Sequence, residues 1–315
     1  MKIDGRHIAS EIKENLKSKI LNLKSQNITP HLAIILVGSD PGSKAYVNQK
    51  IKIGKELGVK VSLHSPSKLD QLVKLVKSLN SNPKIHGIII QRPTPLPIEK
   101  ADLDKLVNPK KDVDGFHPSS PFTPPIALAV LKILNWIYKK PKDTSDNSNK
   151  ATKTPPTKDT SDGVRMHSSE VEGSNPNFHK WLSKKSLLII GRGETGGKPI
   201  AETFKKMNIP YKVAHSKTED IKELIKKSDI IISCVGKPNV IRKELFLPTT
   251  NYKLQTILIG VGMHEEQGKL KGDYDEDEVK DVVSFYTPIP GGVGPVNVAC
   301  LFGNLIKAVK LQMDK

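Results

Sequence analysis

The sequence is short of cysteine, of aromatic residues and of acidic charge, and it has no long apolar run. Only two cysteines occur, Cys234 and Cys300, each inside an apolar stretch. Two are too few for a disulfide scaffold or a zinc site, so both read as buried thiols of a reducing compartment, and no metal is expected. Aromatic residues make up 5% of the chain, few for the stacking platforms that bind single-stranded nucleic acid. Acidic residues number 33 against 50 Lys and Arg, a formal net charge of +17. That excess suits nucleic acid, a membrane surface or small anionic ligands. The lysines, however, are scattered along helical patterns such as ENLKSKI and KELIKKSD, which form solvated faces, so nucleic acid is not the expected partner. No apolar stretch approaches the roughly 20 residues of a membrane span. The N-terminal MKIDGRHIASEIK lacks the apolar core of a signal peptide. The expectation is a soluble cytoplasmic protein with no membrane partner. At 315 residues, two domains are the default.

What is present is an alternation of apolar strands and amphipathic helices. Ile8, Ile12, Leu16, Ile20 and Leu23 recur at helical intervals. HLAIILVG, residues 31–38, reads as a buried strand. The turn Asp40-Pro41-Gly42 then leads into a helix that ends near Gly58. VKVSLH follows as a strand, DQLVKLVKSLN as a helix and IHGIIIQ as another buried strand. Such a series predicts a parallel α/β sheet. QRPTPLP, residues 91–97, stops the third strand as a rigid extended loop, and a pair of helices is expected after it. Ligands of open α/β sheets gather beyond the carboxyl ends of the strands, where Gly38 and Gln91 stand. KKDVDGFHP, residues 110–118, carries Asp112 and Asp114. Two aspartates so placed are more often turn-forming residues than metal ligands. An apolar helix begins near Pro125. Residues 139–180 then turn polar and Pro/Ser/Thr/Lys-rich. They bury too little to offset the entropy of ordering, and read as a flexible linker or surface excursion.

The second half opens with LLIIGRGETGGKP, residues 187–199. A short apolar strand runs into Gly191-Arg192-Gly193-Glu194-Thr195-Gly196, with Pro199 suited to a first helical turn and helix spacing at Ile200, Phe204 and Met207. Strand, G-x-G-x-x-G and helix make up a dinucleotide fingerprint, in which glycines admit the pyrophosphate and the helix N-terminus faces it. A bare strand–helix turn remains open as the alternative. The next strand, YKVAHSKT, ends in His215, Ser216 and Lys217 with no carboxylate before Glu219. NAD sites place an acidic residue there for the ribose 2′-OH. A hydroxyl and a cation, with Arg192 nearby, suit a 2′-phosphate, so NADP is favoured over NAD. DIIISCVG and TILIGVG continue as strands. PIPGGVGP then feeds an apolar helix, and so many prolines and glycines favour a loop packed on a ligand over a bare corner.

Five motifs in order, AYVNQKIKIGKELG, GIIIQRPTP, KDVDGFHP, GRGETGGKP and TPIPGGVGPV, closely resemble the bifunctional methylenetetrahydrofolate dehydrogenase/cyclohydrolase family. The resemblance spans nearly the whole chain except residues 139–180. It implies an N-terminal α/β folate-binding catalytic domain and a C-terminal Rossmann-type NAD(P)-binding domain, with a cleft between them. The implied spans are 1–124 and 125–293, with a helix over 294–315 packing back on the first. The implied chemistry is oxidation of 5,10-methylenetetrahydrofolate to the methenyl form and its hydrolysis to 10-formyltetrahydrofolate, in one-carbon metabolism and purine biosynthesis. By motif match, Lys50 is the essential lysine, Tyr46 covers the folate ring, Gln91 bonds near the lysine and Asp114 anchors the pterin's amino-pyrimidine edge. Pro290, Gly291, Gly292 and Val293 line the folate. Gly191, Arg192, Gly193, Thr195 and Gly196 cradle the cofactor, Ser216 and Lys217 meet its 2′-phosphate, and Gly262 and Met263 lie near the nicotinamide. A homodimer is implied as well. Departures from the pattern are a shorter loop after Asp114, Phe122 for a usual cysteine, Gly193 for serine, Gly260 for aspartate and Asn297 for threonine.

Overall fold

A computed structural model describes residues 1–140, 175–246 and 254–314. The N-terminal half runs α1 (Gly5–Ser25), β1 (His31–Ile35), α2 (Pro41–Leu57), β2 (Lys60–His64), α3 (Leu69–Ser81), β3 (Gly87–Ile90) and α4 (Lys100–Lys105). Local chemistry marks the helix ends. Asp4 caps α1 by accepting from the amides of Arg6 and His7. Asp40 does the same for α2 through Ser43 N at 2.7 Å, with Pro41 in the first turn. Gly58 ends α2 in the left-handed region, at φ 74°, where a side chain would be strained. β2, β1 and β3 form a parallel sheet in that order. The central strand β1 is buried throughout, as expected where helices cover both faces.

After the link helix α5 (Pro125–Lys139) come α6 (Pro176–Ser183), β4 (Leu187–Ile190), α7 (Gly197–Lys206), β5 (Tyr211–Ala214), α8 (Ile221–Lys226) and β6 (Ile230–Ser233). They are followed by β7 (Leu254–Gly260), the hairpin β8 (Met263–Glu266) and β9 (Lys269–Gly272), α9 (Glu276–Val279), β10 (Val283–Tyr286) and α10 (Val293–Met313). The second sheet is parallel with strand order β10-β7-β6-β4-β5. The chain leaves β4 to one side for β5 and returns on the other side for β6. That reversal opens a crevice beyond the carboxyl ends of β4 and β6.

Apolar burial ties the halves together. α10 packs on α1, α5 and α2, and its Phe302 and Leu305 share a core with Leu32 and Ile34 of β1 and Val47 of α2. Each such buried side chain contributes on the order of 2 kcal/mol. Asn304, buried in α10, donates to the carbonyls of Val113 and Thr123, both at 2.9 Å, and so fastens the loop that carries Asp114.

Three expectations change. The flexible insertion expected over residues 139–180 takes in residues that are helical. Lys139 closes α5 and residues 176–183 are helical, because Phe178 and Leu182 bury an apolar stripe. Residues 141–174 lie outside the described residues. The helix pair expected after the proline loop is one short helix, α4, and a 3-10 turn over Pro109–Lys111. The β8–β9 hairpin, α9 and β10 were not anticipated, being short and weakly patterned.

Candidate active site

The face of α2 that Asp40 and Pro41 set in place presents Tyr46 and Lys50, one helical turn apart. Lys50 is 6% exposed, and its Nζ donates to Gln91 Oε1 at 3.0 Å. Gln91 stands at the end of β3, its amide still bonded to Ile35 O at 2.8 Å. Its own Nε2 donates to Arg92 O at 3.0 Å, which leaves the side-chain oxygen turned to the lysine. The parallel sheet thus brings two polar side chains from separate elements to one point beyond its carboxyl edge.

A cavity of about 440 Å³ surrounds that point. Its N-terminal wall includes Ser43, Tyr46, Lys50, Gln91, Asp114 and Phe116, and its C-terminal wall Gly193, Thr195, Gly196, Gly262 and Met263. A second hollow of about 360 Å³ shares Tyr46, Ile126, Val261, Met263 and Asn297 with the first and is closed by Pro290, Gly291, Gly292 and Val293. Tyr46 reaches across the cleft, its hydroxyl donating to Met263 Sδ at 3.6 Å. Burial raises its pKa, so the phenol stays protonated. Another hollow, of about 370 Å³ between α1, α5 and α10, contains none of these residues.

The two aspartates of KKDVDGFHP divide their roles. Asp112, 4% exposed, accepts from His117 N at 2.7 Å and Gly115 N at 3.2 Å and shapes the short loop. Burial pushes its pKa up to about 6. Asp114 lines the cavity. Among the described residues no group of three or more His, Cys, Asp or Glu could hold a metal ion.

On the opposite wall the glycines differ in what they must do. Gly191 has φ +103°, a region closed to most side chains. A Cβ on Gly197 would lie 1.9 Å from Gly191 O, so this glycine, one beyond the fingerprint's last, permits the close approach of β4 and α7. Gly193 has no such constraint, its nearest neighbour being Cys234 O at 4.0 Å from a built Cβ. The amides of Gly193, Glu194 and Thr195 bond to nothing among the described residues, and they lie just before the N-terminus of α7. The fold provides an anion cradle that fits a dinucleotide pyrophosphate.

The chain belongs to the tetrahydrofolate dehydrogenase/cyclohydrolase family. The family's catalytic domain matches residues 3–114 and its NAD(P)-binding domain residues 177–313. Among curated relatives, "Bifunctional protein FolD" of Lachnoclostridium phytofermentans is 34% identical, with 98% of each chain covered. That of Desulforamulus reducens is 31% identical over 99% of this chain and 97% of the relative. The crystal structure of the bifunctional dehydrogenase/cyclohydrolase from Campylobacter jejuni superposes with a TM-score of 0.78 at 30% identity, covering 99% of both chains. The two-domain α/β architecture, the dehydrogenase and cyclohydrolase activities and the place in one-carbon metabolism follow from this membership.

Within the family frame, the structure gathers Tyr46, Lys50, Gln91, Asp114, Gly193, Thr195, Gly196, Gly262 and Met263 around one cavity. Gly191, Arg192, Ser216 and Lys217 are not part of that lining. Arg192, Ser216 and Lys217 are exposed, at the outer rim where β4 pairs with β5, Gly191 N bonding Ala214 O at 2.8 Å. Sequence reading passed over Arg92, Phe116, Ile126 and Asp273. Asp273 is fully buried and accepts from Ser233 Oγ and from the amides of Val235, Gly236 and Lys237, at 2.6 to 3.1 Å. It holds the loop after β6 against the cleft, and nothing short of the fold brings it there. Gly260 has its own explanation. A Cβ there would meet the Tyr274 hydroxyl at 2.8 Å, so Tyr274 fills the space a side chain would need.

No helix among the described residues is long and apolar enough to cross a membrane.

Proposed function

We propose that the chain oxidises 5,10-methylenetetrahydrofolate with NADP+ and hydrolyses the methenyl product to 10-formyltetrahydrofolate, with Lys50 as the proton-transfer group. The observation that carries this reading is the buried Lys50, donating to Gln91 at 3.0 Å on a cleft floor faced by the glycine turn. Bound NADP+ supplies the hydride acceptor. The chain's own residues bind, orient and move protons. Tyr46 stacks over the folate, Asp114 accepts from its amino-pyrimidine edge and Pro290, Gly291, Gly292 and Val293 close its other side. Gln91 aims Lys50 Nζ at the hydrolytic water, so that the lysine can shuttle a proton there. Gly191, Arg192, Gly193, Thr195 and Gly196 hold the pyrophosphate, Ser216 and Lys217 the 2′-phosphate, and Gly262 and Met263 border the nicotinamide. Residues 1–124 form the catalytic unit, α10 packs back on it, and residues 125–293 form the cofactor unit. The enzyme works as a homodimer in the cytoplasm, and its formyl product serves purine biosynthesis.

Absorbance with methylenetetrahydrofolate and either NADP+ or NAD+ tests this. Reduced cofactor is expected with NADP+ first. Lys50→Met is expected to lose hydrolysis of the methenyl compound, and hydrolysis retained at the parent rate would overturn the role of the lysine.

A further inference from the structure

The cofactor turn carries a carboxylate, Glu194, between Gly193 and Thr195, both of which line the cleft. A negative charge in a phosphate cradle opposes the ligand. The structure answers it from the other half of the molecule. Arg92, directly after Gln91, is 8% exposed and forms ion pairs with Glu194 across the cleft and with Asp104 of α4. Lys100, also on α4, lies 3.5 Å from the same Glu194 oxygen. The Arg92 guanidinium sits over the Phe116 ring, 4.0 Å from its centroid, which fixes its plane and keeps water from one face. Two cations and two carboxylates make the cluster neutral. A guanidinium so buried interacts strongly with neighbouring charges, because little solvent screens it.

We propose that Arg92, assisted by Lys100, is a positioning and affinity-determining residue for the cofactor. It neutralises Glu194 so that the glycine turn can accept the anionic dinucleotide, and it holds that turn against the Gln91 loop. This rests on the dinucleotide reading of the turn. The arrangement makes a specific demand. Without Arg92, Glu194 keeps only the half-exposed Lys100 beside it, the cluster turns net negative, and its charge repels the phosphates. Without both, the repulsion disappears. Without Glu194 alone, the cluster gains net positive charge.

Calorimetric titration of the full chain with NADP+ at low salt tests the inference. Arg92→Leu should raise Kd roughly tenfold, and the effect should shrink as salt approaches ~0.5 M. Glu194→Gln should bind as tightly as the parent or tighter. The double variant should return to within about threefold of the parent. Lys100→Met, at a half-exposed position on a short helix, should give a smaller loss of about threefold and places little demand on folding. A double variant as weak as Arg92→Leu alone, or a Glu194→Gln variant weakened to the same degree, overturns the proposal. A parent chain that binds no dinucleotide overturns the cofactor reading itself and this inference with it.

Discussion

Substituting alanine for Gly197 tests the geometry of the cofactor cradle most directly. The added methyl would lie 1.9 Å from Gly191 O and 2.7 Å from Gly191 C. Both are backbone atoms at the end of β4, so no side chain can swing aside. Relief requires the start of α7 to move away from β4 by an ångström or more, since ordinary carbon–oxygen contacts are above 3 Å. Overpacking of this kind costs about 1–3 kcal/mol. The helix N-terminus moves with it, and about 1.4–2.8 kcal/mol lost from binding is a ten- to hundredfold rise in Kd. We expect NADP+ affinity to fall by ten- to a hundredfold, measured by calorimetry. Hydrolysis of the methenyl substrate, which we assign to Lys50 and Gln91 in the other half, should persist and report that the chain is folded. Gly193→Ser is the matched control, because its built Cβ meets nothing closer than 4.0 Å and its φ is not positive. It should keep affinity within about threefold. Unchanged binding in Gly197→Ala would refute the close-approach argument, and so would a loss in Gly193→Ser equal to that of Gly197→Ala.

Asp273→Asn replaces one acceptor oxygen with a donor that faces amide N–H groups. At about 1–3 kcal/mol for each unsatisfied buried group, urea unfolding should show a loss of ~2–5 kcal/mol; a loss below ~1 kcal/mol would remove its loop-holding role. Ser216→Asp with Lys217→Ala places a carboxylate where the 2′-phosphate is expected, and should shift the NADP+/NAD+ ratio of kcat/KM toward NAD+ by about tenfold or more; an unchanged ratio would move the 2′-phosphate site elsewhere. Burial, with Lys60 and His86 adding repulsion, lowers the His31 pKa from 6.5 to about 4. The folded chain therefore resists a proton that the unfolded chain accepts. This contribution is whole above pH 6.5 and is lost as pH falls toward 4. Asp112 acts in the opposite sense. Its pKa is raised by burial from 3.8 to about 6, so its contribution is whole below 3.8 and is lost as pH rises through 6. Thermal melting of His31→Leu against pH should show a flatter acid limb than the parent, and an identical slope would exclude His31 as the sensor.

Much of the site was legible because its parts are local. The turn at Asp40-Pro41-Gly42 and the spacing of Tyr46 and Lys50 fit within one helix and its entry, and the Gln91 position follows from where the prolines stop β3. The turn chemistry of Asp112 was equally readable, since its partners Gly115 and His117 lie a few residues away. The hairpin, α9 and β10 were not, because four-residue elements carry too little periodicity to stand out from loops.

By itself the sequence determined the order of the longer strands and helices, the glycine turn between β4 and α7, and the places of Tyr46, Lys50 and Gln91 along the chain. Each of these rests on patterns spanning a few residues. Only the tertiary structure decided which distant groups meet. Lys50 found Gln91 through the parallel pairing of β1 and β3, and Tyr46 found Met263 across the cleft. Packing added Gly197, outside the fingerprint, to Gly191 as a position that must be glycine, and left Gly193 without a close neighbour. The pairing of Arg92 with Glu194 depends on two loops from separate sheets arriving at the same place. Charge acts through distance, and that distance is set by how the helices between the two sheets pack.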